Sequence, residues 1–311
     1  MASEINQVIA PAFKPVEPDK RRLNWEPYLY LLPALVLVVA VLIYPLVFSA
    51  ILSVHHWTIQ TFHQGVPFVG LKNYADAVAD ARFWNALRVT GAFMVLALTL
   101  EFVLGLGLAV LLNRAVAARR ITRTLVLMPM MCTNIVIGLI WRMMLNFDYG
   151  VFNFFMTSLG LQPVAWLSQP DTALLSLVIV DVWNTTCFVA LILLAGMQAQ
   201  PLEVREAAMI DGASTLQIFC YITLPLLRPA LMVALLWRTI DTFRIFDVVF
   251  TLTAGGPAQA TETISLYIYY NGFQQFNMGY TAALSMLMIA MLFAVAFLIY
   301  RLIGRVATLN E

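Results

Sequence analysis

Six apolar runs, at 28–54, 89–112, 124–145, 172–197, 226–252 and 280–303, decide what this chain can fold into. A bilayer core about 30 Å thick is crossed by a helix of roughly 20 apolar residues, and each run reaches that length. Backbone N–H and C=O groups find no water inside lipid, so a lone spanning segment must satisfy them internally, as a helix does. The pattern predicts an all-α integral membrane protein with six transmembrane helices. Composition points the same way, with 61% hydrophobic and 11% charged residues, against roughly 45–50% and about 25% in soluble domains. That little charge cannot coat a water-exposed surface, which excludes a soluble enzyme. The apolar excess excludes a disordered chain, and a net charge of +1 offers no basic face to nucleic acid.

The remaining residues divide into tails and loops. A polar tail at 1–27 ends in Lys20, Arg21 and Arg22. The run behind it outlasts the short apolar core of a cleaved signal, so it reads as a retained first helix. The six-helix membrane domain extends over 28–305, and 306–311 closes the chain. With the N-terminus inside, the tail basics with Lys14, then Arg114, Arg119, Arg120, Arg123, Arg205, Arg228, Arg301 and Arg305, all lie in the cytoplasm. Lys72 and Arg82 remain outside, with Arg88 at the boundary, and this bias places both termini inside. Cys132, Cys187 and Cys220 suggest no disulfide framework. His55 and His56, with His63 farther on, lack a matching thiol or carboxylate cluster, so no metal site is expected.

Two segments carry mechanism. The first is 201–225, PLEVREAAMIDGASTLQIFCYITLP. Pro201 suits a helix start, and Glu203 and Glu206 favour its positive end. Gly212 permits a sharp turn, Ser214 or Thr215 can cap a second helix, and Pro225 marks the junction with the fifth run. The second is the series Arg238, Asp241, Arg244 and Asp247, alternating in sign at intervals of three, so neighbours can pair along a helix. From an entry near Pro229, Arg238 lies about 13 Å deep and Asp241 about 18 Å at 1.5 Å per residue. Ions at that depth must face other helices or water. They serve either as a self-neutralising brace or as a solute contact. The arginines alone would favour an anionic solute, but the alternating aspartates remove most of that force.

Glu206-Ala207-Ala208, three residues, Gly212, nine residues, then Ile222-Thr223-Leu224-Pro225 resembles the EAA signature of ABC importer permeases. That resemblance implies the type I importer permease (MetI-like) fold. It also implies that Glu206, Ala207, Ala208, Asp211, Gly212, Leu224 and Pro225 form a coupling loop docked on a cytoplasmic ATPase. The chain has no G-x4-G-K-[ST] phosphate loop, and its lysines are Lys14, Lys20 and Lys72 alone. ATP and Mg therefore belong to a separate ATPase. This chain is expected to be no enzyme and to bind no cofactor.

Phe246-Asp247, Leu252-Thr253-Ala254-Gly255-Gly256-Pro257, Thr261, Tyr269 and Phe273 resemble the carbohydrate-uptake branch of that family. So do Pro45 and Gly70-Leu71-Lys72-Asn73-Tyr74, and the N-terminal pattern is similar to the MalF/UgpA/LacF-like half of the permease pair. The resemblance implies a second permease, two ATPase subunits and a periplasmic or surface solute-binding protein, assembled in a bacterial inner (plasma) membrane. Its solute would be a sugar, polyol or related small molecule. Solute-path candidates are Asn134, Asp181, Trp183, Asn184, Arg238, Asp241 and Arg244, while Glu101 is expected to pair with a neighbouring helix. The rivals are an ion-gradient-driven secondary transporter, which commonly shows inverted repeats not evident here, and an intramembrane enzyme, whose catalytic constellation is missing.

Overall fold

The computed structural model describes residues 26–60, 65–113, 124 and 126–308. The tail basics, Arg114 to Arg123 and His63 lie outside them. Among the described residues the architecture is all-α, with isolated bridges at His55–Phe68 and Thr58–Asn277 and no strand. Along the chain, internal packing separates a unit ending at Phe48 from one beginning at Ser49.

In the first unit, α1 (Glu26–Val38) passes through a π turn at Val39–Ile43 into α2 (Tyr44–Ser53). Pro45 accounts for the π turn. Its ring crowds the carbonyl four residues back and supplies no N–H, and one wider turn relieves both.

The second unit begins with the end of α2, where the last carbonyls lack helical partners. Asn73, on α3 (Lys72–Ala79), supplies them: its Nδ2 donates to Ser53 O at 2.8 Å and His55 O at 2.9 Å. The Gly70–Tyr74 motif thus fastens α3 to the end of α2. The helix α4 (Ala81–Asn113) starts eight residues before the expected 89. Its polar first turns find partners beyond the apolar run, Arg82 pairing with Glu262 at 2.6 Å.

The expected span 124–145 is not a continuous helix. Pro129 opens a short 3-10 turn, Pro129–Met131, and regular structure resumes as α5 (Asn134–Met144). Proline has no N–H to give to the helical ladder and its ring crowds the preceding turn, so regular helix gives way at Pro129. Next come α6 (Val151–Ser158), the long α7 (Pro170–Gln198) and α8 (Leu202–Ile210). Then α9 (Thr215–Ile218) runs through a π turn at Phe219–Thr223 into α10 (Leu224–Leu226).

The expected span 226–252 is also interrupted. Thr215–Leu226 meets α11 (Arg228–Phe243) at 61°, between Pro225 and Pro229. After Phe243 the helix stops, and Arg244–Phe246 lead into α12 (Asp247–Leu252). The chain finishes with α13 (Ile264–Tyr269), a π turn at Tyr270–Gln274 and α14 (Met278–Thr308). Among the described residues, four helices are long and apolar enough to cross a bilayer: Tyr28–Ser53, Ala81–Asn113, Pro170–Gln198 and Met278–Arg301. The bent pair would make a fifth, and α5 is a shorter apolar helix.

Packing in the second unit relies on small residues. A Cβ on Gly105 of α4 would lie 2.8 Å from Val189 Cγ1 of α7, so glycine sets how closely the two backbones approach. A Cβ on Gly138 of α5 would fall on the Thr251 hydroxyl of α12. Around these approaches Phe93, Ala97, Ile137, Leu177, Val248 and Leu252 form one buried cluster. It draws α4, α5, α7 and α12 together.

Candidate functional site

Arg238 is the centre of a buried ion cluster. Its Nε donates to Glu101 Oε2 at 2.8 Å, and its Nη2 to Glu101 Oε1 at 2.7 Å and Asp181 Oδ2 at 2.9 Å. Its Nη1 donates to Asp241 Oδ2 at 2.5 Å. Glu101 is on α4, Asp181 on α7 and Asp241 one turn along α11, so a single guanidinium ties three helices. The planar fork of arginine suits this, since it directs donors to several carboxylates at once. Arg238 is 2% exposed, Glu101 0% and Asp181 5%. Thr185, one turn beyond Asp181, donates its hydroxyl to Glu101 Oε1 at 2.8 Å.

Asp241 leaves this cluster at its open side. Its side chain is 43% exposed, and its Oδ1 lies 3.5 Å from Arg244 Nη2. Beyond it is a cavity of about 340 Å³ whose walls include Asn134, Asp181, Asn184, Arg238, Asp241 and Arg244. Of the solute-path candidates, Trp183 is the one the cavity leaves out. It sits edge-on against Trp141 at 5.5 Å and is 44% exposed. Successive helix positions do not share a face, so with Asn184 on the cavity Trp183 turns away. On the same wall Asn184 Nδ2 donates to Asn134 Oδ1 at 3.2 Å, joining α7 to the start of α5.

Sequence reasoning missed Thr185 and Thr242, which also line the cavity. Their one-turn spacing from Asp181 and Arg238 was the available signal. The break after Phe243 brings Phe246 and Asp247 to the same cavity, where a straight helix was expected. Glu101 pairs with neighbouring helices, and the charges on α11 reach across to α4 and α7 as well as along their own helix.

The 201–225 segment is a separate feature. Two helices, α8 and α9, flank a turn with Gly212 at φ +80°. The Gly212 N–H donates to Met209 O at 3.2 Å and the Ala213 N–H to Ala208 O at 3.0 Å, which closes the end of α8 as a Schellman motif. Ser214 then caps α9 reciprocally with Gln217: Gln217 N–H to Ser214 Oγ at 3.3 Å, Ser214 N–H to Gln217 Oε1 at 2.8 Å. Glu206, Ala207, Asp211 and Gly212 are exposed, Ala208 is partly buried, and Leu224 and Pro225 are partly buried at the far end. The turn also exposes large apolar side chains that the sequence did not single out, Ile210 at 87%, Leu216 at 72% and Tyr221 at 78%.

Among the described residues no group of three or more His, Cys, Asp or Glu is arranged to hold a metal. The His55 Nδ1 instead lies 2.7 Å from Ile51 O.

Comparison with known proteins matches residues 101–308 to the family described as binding-protein-dependent transport system inner membrane component. The chain is 41% identical over 278 residues to the trehalose/maltose transport system permease protein MalF of Thermococcus litoralis, covering 89% of this chain and 93% of that protein. It is 36% identical over 284 residues to the trehalose transport system permease protein SugA of Mycobacterium tuberculosis H37Rv, covering 91% of this chain and 90% of the relative. In fold it is similar to a chain of a bacterial ABC transporter involved in the import of the acidic polysaccharide alginate, with TM-score 0.79 and 23% identity over 90% of this chain and 96% of that one. The chain belongs to the binding-protein-dependent transport system inner membrane component family, as a multi-pass ABC importer permease subunit and not an enzyme.

Proposed function

We propose that this chain is the MalF-like half of a permease pair that imports a sugar or polyol, the cavity beside Asp241 being part of the solute's passage. The observation that carries this reading is a polar, partly open cavity inside a chain so similar to permeases named for trehalose and maltose. In this reading the polar groups of Asn134, Asp181, Asn184, Asp241 and Arg244 offer hydrogen bonds to solute hydroxyls, while Arg238 holds the wall together. A second permease completes the passage.

The 201–225 loop lies on the cytoplasmic side and couples to one of two ATPase subunits, which bind ATP and Mg. Glu206, Ala207, Ala208, Asp211 and Gly212 form the docking turn, and Leu224 and Pro225 join it to the fifth span. Ile210, Leu216 and Tyr221 add apolar area to that contact. Both termini are cytoplasmic, consistent with the basic residues on that side. A solute-binding protein delivers the solute from outside, as the family's description implies.

Reconstitution tests this. Proteoliposomes holding this chain, its partner permease and the ATPase should accumulate sugar only with ATP at the ATPase face and binding protein at the opposite face. Ion-gradient-driven uptake by this chain alone would establish the secondary-transporter reading instead.

A further inference from the structure

The walls of the cavity carry a sign of charge as well as polarity. Resting on the reading of this cavity as the solute's passage, we infer that it selects an uncharged polyhydroxylated solute and turns away the phosphorylated, sulfonated or carboxylated counterpart.

The acids outnumber the bases. Asp181, Asp241 and Asp247 line the cavity against Arg238 and Arg244, and Glu101 sits directly behind Arg238. Four carboxylates thus face two guanidiniums, and a proton on one buried carboxyl still leaves the sum negative. A cleft lined by one sign of charge between low-dielectric walls focuses its field on an entering ion.

The arginines do not reverse it. Arg238 gives four of its five N–H groups to the carboxylates of Glu101, Asp181 and Asp241 and is 2% exposed, so its charge is already largely matched within the wall. The Arg244 side chain is 61% exposed and lies 3.5 Å from Asp241, which offsets it.

The carboxylates of the lining point to the same ligand chemistry. A solute hydroxyl can donate to the Asp241 carboxylate, whose side chain is 43% exposed, or to that of Asp247 on the same wall. An anionic oxygen is only an acceptor, so it can take no hydrogen bond from these carboxylates and meets like charge.

The sign of the field can be measured without knowing the solute. In the assembled importer in proteoliposomes, Cys132, Cys187 and Cys220 are replaced by Ser, Ala and Ser, and Ile245→Cys places one thiol on the cavity wall. Modification by a trimethylammonium methanethiosulfonate is compared with that by its sulfonate analogue, each rate normalised to a free thiol in solution. The cationic reagent should react faster by about tenfold or more. Asp247→Asn should lower that ratio and Arg244→Gln raise it. Equal normalised rates, or a faster anionic reagent, would overturn the inference. Failure of the proposed function would show differently, as absent ATP-driven sugar uptake in the same vesicles with the field ratio intact.

Discussion

Arg238 is the residue on which the buried chemistry converges, because the ions around it have no water to turn to. Replacing it removes the counter-charge of Glu101 and Asp181 together. Loss of one partner from a buried ion pair costs about 3–5 kcal/mol, so Arg238→Met should lower the melting temperature of the purified complex in detergent and reduce its yield. Asp241 differs, since its carboxylate is partly open to the cavity. Asp241→Asn should assemble and melt near wild type while sugar uptake falls; normal uptake would make the residue a brace alone. Charge inside an apolar run made Arg238 and Asp241 visible in the sequence. Glu101 stood out for the same reason, but nothing local pairs it with a guanidinium 137 residues away. Thr242 was legible only through its one-turn spacing from Arg238, because a threonine in a helix commonly bonds its own preceding turn.

Among the elements, the α8–Gly212–α9 turn was the most legible, because caps and glycine turns depend on neighbours in sequence. A Cβ at Gly212 would meet nothing within 4 Å, so the glycine is required by its φ of +80° and not by space. A residue with a side chain pays about 1–2 kcal/mol there. Gly212→Ala should weaken co-purification of the ATPase, and Gly212→Asn, which tolerates that conformation better, should weaken it less. The α5–α12 contact is limited by space instead. Gly138→Ala puts a methyl on the Thr251 hydroxyl and 2.9 Å from Thr251 Cβ. It should lower the melting temperature, and Thr251→Ala should restore only part of the loss because the Cβ contact stays. The break after Phe243 was not legible at all, since the sequence from Phe243 to Asp247 contains neither proline nor glycine.

For the whole molecule, the ion cluster joins α4, α7 and α11, while the bent chain from Thr215 to Phe243 links the same α11 to the exposed loop. Movement of that loop therefore has a continuous covalent route to the cavity wall. Cross-linking tests this route: cysteines at Ala213 and Ile222, beside the turn, bridged by a short bifunctional reagent, should slow ATP-driven sugar uptake while leaving the complex assembled. Uptake at the untreated rate would show that the loop need not flex against its own second helix.

Solvent preference and local backbone rules determined what the sequence alone made plain. Long apolar runs require lipid and helices, the motif spacing carries the family resemblance, and Ser214 with Gly212 shapes the turn between α8 and α9. The tertiary structure decided which charges meet, which face of α7 opens on the cavity, and where the runs at 124–145 and 226–252 give up regular helix. The physical reason is range. Hydropathy and capping are summed over adjacent residues, whereas an ion pair, a close approach at glycine and a cavity are set by helices brought together from distant parts of the chain.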